Sequence, residues 1–280
     1  MYGLKSSNYG KTFKGHVTNE KIKIIYYAHP TETFNTGLEK AVVSSICSFL
    51  GDVYHINDWR SLCDALTQKT ARQVRESLRQ SIKRYIKGEM SKKGARSVGL
   101  RFLKEIKGGF VKSSHLILFN PSIFENLFPE TCFPVTKLFK KRTYPDFCYG
   151  LIDGCDMMVA HGYPLNSRVK QAFRALLSLP SSPREVTEYA SRLLRLIDGA
   201  SDMVWSPGAF EEVKYALERG LKVFKFHNGK LEKISTMEGE VKVPFDDYCL
   251  RLYSKIWQPI AEVIYWLLYP PNSLTELRCN

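Results

Sequence analysis

The stretch Ser206-Pro207-Gly208-Ala209-Phe210-Glu211-Glu212-Val213-Lys214-Tyr215-Ala216 decides how the chain is read. Ser206 suits a helix N-cap, and Pro207 suits the first helical position, where its missing N–H costs nothing. The helix then runs to about Arg219, and Gly220 ends it. Leu221-Lys222-Val223-Phe224-Lys225-Phe226 alternates apolar and basic residues as a strand does. Ala200–Trp205, a short apolar run directly before Ser206, supplies the other strand of a βαβ unit. Ligands of open α/β sheets collect at the carboxyl ends of strands, where Ser206 would lie. Gly208 would let a ligand approach the backbone, and a helix N-terminus attracts anions. A glutamate there is a candidate nucleophile; a plain cap followed by solvated glutamates is the other reading of the same spacing.

Two further segments extend the pattern. Lys21–Ala28 (KIKIIYYA) is an apolar run of strand length. The polar stretch His29-Pro30-Thr31-Glu32-Thr33-Phe34-Asn35-Thr36-Gly37 follows it, and then a helical pattern from Leu38 to about Leu50. Strand, polar loop and helix are the usual opening of a nucleotide-binding α/β domain. Cys155-Asp156-Met157-Met158-Val159-Ala160 places one acid at the head of an apolar strand, and a carboxylate buried there needs a partner or a function. The expected fold is therefore α/β, a Rossmann-like, mainly parallel sheet flanked by helices and carrying helical insertions.

In this order the three segments resemble the nucleoside 2'-deoxyribosyltransferase family and its relatives that hydrolyse the N-glycosidic bond of nucleoside 5'-monophosphates. In that family a tyrosine closes the first strand and an aspartate heads an Asp-apolar-apolar strand. Its nucleophilic glutamate lies in a Gly-x-x-x-Glu-x-Gly-Tyr-Ala helix. Those positions fall here on Tyr26, Asp156 and Glu212, the last followed by Val213-Lys214-Tyr215-Ala216. The match covers about half the chain and is split by insertions. The transferase branch usually has an aspartate six residues before its glutamate, whereas Ser206 stands here, as in the monophosphate hydrolases. A serine hydroxyl and a helix N-terminus both hydrogen-bond a phosphate that a carboxylate would repel. The resemblance so leans toward a phosphorylated substrate. Lys214 departs from the family glycine. The Gly-Gly-x-Gly-Thr-x-x-Glu loop of cytokinin-activating phosphoribohydrolases is absent.

What the resemblance implies is retaining glycosyl transfer. Glu212 would attack the anomeric carbon, and water or a second base would release the glycosyl-enzyme ester. Asp156 would handle the proton on the leaving base, a role that typically contributes about 10²–10⁴-fold, and Tyr26 would orient the nucleophile. Glu211 is the rival to Glu212; it would point roughly 100° away on a helix of 3.6 residues per turn. Ser206 and Gly208 are expected to bind substrate, with His29, Thr31, Thr33 and Asn35 lining a base or phosphate site. His29 before a proline also suits a structural turn, and the threonines suit an ordinary loop. The chemistry asks for no cofactor and no metal. A homo-oligomer is compatible with the resemblance, although no residue fixes the oligomeric state. A nucleotide-sensing or RNA-binding module of the same fold, without turnover, is the reading from another class.

At 280 residues with 44% hydrophobic content the chain has ample material for a core. The seven cysteines, at 47, 63, 132, 148, 155, 249 and 279, form no CxxC and have no histidine partner spacing. No zinc site or disulfide framework is read, which points to a reducing, cytoplasmic setting. The N-terminus lacks the apolar core of a signal peptide. A single Rossmann-like domain over 1–280 is expected, with a basic helical insertion at 59–112, a second helical insertion at 165–199 and a C-terminal helical segment at 246–280.

Charge is concentrated in the first insertion. Lys69–Lys112 holds 14 Lys or Arg against Glu76, Glu89 and Glu105, a local +11 of the chain's +13, so the remainder is close to neutral. Its first part, about Trp59–Lys87, has a helical pattern with Val74, Leu78, Ile82 and Ile86 at spacing four. A second helix, about Ser97–Ile106, is expected after a hinge at Gly94-Ala95. Basic helices bind nucleic acid or form a rim around an anionic ligand, and they also serve as solvated faces. The scarcity of aromatics, Tyr85, Phe102 and Phe110, argues against single-strand stacking. His115–Phe119 reads as a third strand, followed by a Phe- and Pro-rich loop to about Pro145. The apolar run Tyr248–Tyr269 contains Arg251, Lys255, Glu262 and an interrupting Pro259, which disfavours a membrane-spanning helix.

Overall fold

The computed structural model describes residues 22–30, 33, 36–86, 89–125, 144–165 and 202–242, with isolated positions between 167 and 199. The C-terminal segment 246–280 and most of the insertion at 165–199 lie outside the described residues.

Strand β1, Lys23–Ala28, is a continuous apolar run with Ile24–Ala28 all buried, as a strand covered on both faces requires. Helix α1, Gly37–Leu50, follows. The Thr36 hydroxyl accepts from the Glu39 N–H at 3.3 Å to cap it, and Gly51 ends it at φ 87°. Strand β2, Val53–Ile56, leads into three helices, α2 (Trp59–Ala65), α3 (Gln68–Ile86) and α4 (Lys92–Gly109). Strand β3 (Leu116–Phe119) and a 3₁₀ turn at Pro121–Glu125 come next. Helix α5 (Tyr144–Asp153), β4 (Met157–Ala160) and β5 (Tyr163–Pro164) follow them. The chain continues through β6 (Met203–Trp205), α6 (Pro207–Glu218), β7 (Lys222–His227), β8 (Lys230–Ile234) and β9 (Val241–Lys242).

Six strands form one sheet in the order β2-β3-β1-β4-β7-β8. The first five are parallel and β8 returns antiparallel from β7. The molecule is thus α/β, with a mostly parallel mixed sheet flanked by helices. On one face Ile24, Tyr26, Phe119 and Met158 join a cluster with Phe102 and Leu103 of α4, Leu151 of α5 and Val213 of α6. The alternate residues Ile25, Tyr27, Leu118 and Val159 are equally buried, and the core residues of α1 stand outside that cluster. Helix α1 therefore belongs to the other face.

Three expectations need correction. Met203–Trp205 does not complete a βαβ unit in the main sheet: it pairs with β5 and β9 in a separate three-stranded sheet. The strand beside β7 is β4, in parallel register Met158↔Val223. Gly94-Ala95 is no hinge but lies in the first turns of α4, whose N-cap is Ser91; the helices break after Ile86, before that cap, and again at Leu66-Thr67, where Leu66 bridges Phe110. Tyr144–Asp153, assigned to a loop up to Pro145, is a helix, with the proline in its first turn where no donor is lost.

The closest helix contact is made by glycines. A Cβ on Gly150 of α5 would run into the Arg96 carbonyl of α4, and one on Gly99 of α4 into the Phe147 carbonyl. The two backbones touch because neither has a side chain there. Gly150→Ala should lower stability by about 2–3 kcal/mol through forced separation of α4 and α5. Gly208→Ala, with open space at its Cβ, should change stability by no more than about 1 kcal/mol; urea unfolding of both variants checks the contrast.

Candidate functional site

Helix α6 begins as its sequence asks. Ser206 is buried, its Oγ accepts from the Ala209 N–H at 3.2 Å, and Pro207 takes the first helical position. The cap thus satisfies one of the orphan donors of the first turn. Gly208 is exposed in an ordinary helical conformation, with open space where a side chain would stand.

The two adjacent glutamates part company on this helix. Glu211 turns outward, where its Oε1 accepts from Lys242 Nζ of β9 at 2.6 Å. Glu212 turns toward the sheet. It is half-buried as a residue, and its carboxyl is desolvated, which pushes its pKa up to about 7; the Tyr26 hydroxyl and the Cys148 thiol favour the ionised form and act against that rise. Tyr26, in the middle of β1, is fully buried. The structure therefore brings Glu212 and Tyr26 together and adds Cys148 of α5, a residue that no pattern in the sequence singled out.

A second set of contacts fixes the height of α6. Asp153, the last residue of α5, accepts from Tyr215 Oη at 2.9 Å and from Arg96 Nε at 2.6 Å, and pairs with Arg219 Nε at 3.2 Å. The Tyr149 and Tyr215 rings stack with centroids 4.1 Å apart. The Tyr215 hydroxyl is pushed up to about 12 by burial and by its bond to Asp153. One carboxylate so ties α4, α5 and α6 together, with Glu212 one turn before Tyr215 and Ala216 on the inner side.

Asp156 stands apart from this group. It is exposed at the amino end of β4, where its Oδ2 accepts from the Ile24 N–H at 2.7 Å and from Lys107 Nζ at 3.0 Å. The groups that act on the Glu212 carboxyl are Tyr26 and Cys148, not Asp156. Its acid is partnered, as a carboxylate beside an apolar strand must be, and the partner is structural.

At the carboxyl ends of the strands lies a buried polar cluster around His29. Its Nδ1 is 2.9 Å from the Pro30 carbonyl and 2.9 Å from Thr33 Oγ1, whose own proton goes to Pro30 O at 2.7 Å. Its Nε2 is 2.9 Å from Asn120 Oδ1, with Glu39 Oε1 at 3.5 Å. The Asn120 amide is oriented by its neighbours, since Oδ1 accepts from Ser122 N and Nδ2 donates to Glu39 Oε1 at 2.6 Å. The Pro30 carbonyl and Thr33 Oγ1 so face one ring nitrogen, and Asn120 Oδ1 and the Ser122 hydroxyl, 3.2 Å away, face the other.

His161, directly after β4, is the counterpart of His29 after β1. Its Nδ1 donates to the Gly162 carbonyl at 2.7 Å and its Nε2 accepts from Tyr27 Oη at 2.8 Å. Burial first, and His29 second, press its pKa down to about 3; the same two causes bring His55 of β2 to about 4. The His29 and His161 rings lie nearly parallel, 6.0 Å apart. The connection from β1 leads to β2 on one side of the sheet and that from β4 leads to β7 on the other. The two histidines consequently mark the switch point where ligands of such sheets bind. Beside His161 opens a cleft of about 290 Å³ lined by Val42, Gly162, Met203, Phe226 and His227.

Of the residues expected to bind substrate, His29 and Thr33 are joined in the buried cluster, Ser206 caps α6, Gly208 is exposed, and Thr31 and Asn35 lie outside the described residues. Sequence reasoning missed Glu39, Asn120, Cys148 and His161. For Asn120 and His161 a signal existed, because each directly follows a parallel strand, as His29 does. Among the described residues no cluster of His, Cys, Asp or Glu could hold a metal ion, and no helix is long and apolar enough to cross a membrane. No family model matches the chain, and neither a curated protein nor a solved structure does.

The shifts oppose one another in pH. For His161 and His55 the folded values lie below the ordinary 6.5, so the unfolded chain binds more protons and stability is lost as pH falls from about 6.5 toward 3. For Glu212 the folded value lies above the ordinary 4.5, so its contribution is present below that value and is lost as pH rises through about 7. Glu212→Gln should therefore raise stability at pH 8 by roughly 1–3 kcal/mol and leave it nearly unchanged at pH 4, as thermal unfolding at the two pH values would report.

Proposed function

We propose that the protein is a Rossmann-like N-glycosidase or deoxyribosyltransferase acting on a nucleoside 5'-monophosphate or deoxynucleoside through Glu212. The observation that carries this reading is the Glu212 carboxyl set in a desolvated position against the Tyr26 hydroxyl. A carboxylate removed from water is a stronger nucleophile than a solvated one, and a value near 7 leaves about half of it ionised at neutral pH. The Tyr26 hydroxyl, held in the core of β1, orients it.

In the first step a Glu212 oxygen attacks the anomeric carbon while the C–N bond breaks. The electron pair of that bond leaves on the base nitrogen, which takes up a proton from solvent water. In the second step water adds to the anomeric carbon of the ester, loses a proton and regenerates the carboxylate; a second base in place of water gives exchange. Asp156, engaged by Lys107 and the Ile24 N–H, is not assigned the proton on the leaving base. A 5'-phosphate would meet the α6 N-terminus beside Ser206.

A second reading, a nucleotide-binding module without turnover, is favoured by that same engagement of Asp156, because it leaves the leaving group without the general acid of the resemblance. Release of free base from a panel of nucleoside 5'-monophosphates and deoxynucleosides decides between them. The glycosidase reading predicts release or exchange on at least one of them, with kcat lowered about 10³-fold or more in Glu212→Ala. It also predicts a kcat/KM that rises through pH about 7 as Glu212 ionises. Tyr26→Phe, which removes a donor favouring the carboxylate, should move that limb to higher pH. Binding of a nucleotide without release of any base would support the module instead.

A further inference from the structure

Helix α3 carries six basic residues and one acid, Glu76, in 19 positions. Lys69, Arg72, Arg75, Arg79 and Lys83 recur at spacings of three and four, so they form one stripe within about 120° of the helix axis. All five are exposed. Val74, Leu78 and Ser81 are buried on the other side, against the protein. From Lys69 to Lys83 the stripe rises about 21 Å, at about 1.5 Å per residue.

On the neighbouring helix half of the six cations are paired. On α4, Arg96 is paired with Asp153 and Lys107 with Asp156, and Arg101 lies 3.8 Å from Glu105 one turn away. Among the described residues Lys69, Arg72, Lys83 and Arg84 make no ion pair. Like charges three and four residues apart destabilise a helix, so an exposed stripe of five cations is a cost to α3 itself. Three of the five are arginines, whose planar donor fork matches a phosphate. The stripe positions offer no aromatic for stacking on bases, which leaves the phosphate backbone as the feature they can contact. Duplex nucleic acid presents about one negative charge per 1.7 Å of axis, enough to meet all five along this length.

We infer that the outer face of α3 is a docking surface for the phosphate backbone of double-stranded nucleic acid, bound without sequence readout. The inference is independent of Glu212 and of any glycosidic chemistry. The test is fluorescence anisotropy of the full chain with a labelled 24-base-pair DNA duplex, between 50 and 200 mM salt. Five phosphate contacts predict a log–log slope of about −4.5, roughly a 500-fold loss of affinity over that range. The triple variant Arg72→Glu/Arg79→Glu/Lys83→Glu should flatten the slope to about −2 and weaken binding at 100 mM salt at least about 50-fold. The same substitutions to Gln serve as a second set should the glutamates disturb folding, which circular dichroism reports. Lys222→Glu/Lys230→Glu/Lys233→Glu makes the same change of net charge on exposed residues of β7 and β8, and should leave affinity within about threefold. Absence of binding at 50 mM salt would overturn the inference. So would equal weakening by the two triple variants, tighter binding of a single strand than of the duplex, or a preference for anionic lipid vesicles.

Discussion

Asp153 is the constraint on which the placement of α6 depends. It closes α5 with a carboxylate that receives Arg96 from α4 and Tyr215 and Arg219 from α6. The contact is possible only because Gly99 and Gly150 let α4 and α5 approach to backbone distance. A helix whose carboxyl half is tied to Asp153 through Tyr215 and Arg219 has little freedom to slide or rotate. Rotation by one residue, about 100°, would exchange Glu211 for Glu212 at the sheet. The desolvation of Glu212 is so a consequence of helix packing some distance from it.

A different solution governs the carboxyl ends of β1, β3 and β4. Here polar side chains are buried outright, and burial is tolerable because each is answered by a partner of the right kind. His29 faces acceptors on both nitrogens, Asn120 bridges His29 and Glu39, and His161 is saturated by Tyr27 and the Gly162 carbonyl. Burial first, and the neighbouring His29 second, lower the basicity of His161 and His55. Both faces of the sheet thus end in built polar sites, one around Glu212 and one around His29, separated by the alternation of Tyr26 and Tyr27 along β1.

The elements whose signal is local were legible in the sequence. β1 and β3 are short apolar runs bounded by polar residues, and α6 carries Ser206, Pro207 and Gly220 at its ends. What could not be read is which strand a strand pairs with. Met203–Trp205 has the composition of a core strand and is buried, yet its partners are Tyr163–Pro164 and Val241–Lys242, far apart in sequence. Tyr144–Asp153 was hidden by Pro145, which breaks a helix interior but suits a first turn. Within the site, Tyr26 and Glu212 lie in the two segments that the sequence marked by a strand run and a capped helix start. Cys148 and Glu39 sit in helices with nothing to mark them, and the partnering of Asp156 by Lys107, 49 positions away, has no local trace.

The account turns on the state of one carboxyl group. A ¹³C-NMR titration of the glutamate side-chain carboxyls, with the Glu212 signal assigned by its loss in Glu212→Gln, reads that state directly. A midpoint near 7 for Glu212 in the folded protein is the predicted result. A midpoint near 4.5, the value of a carboxyl in water, would mean that Glu212 is solvated and that its placement against Tyr26 is wrong.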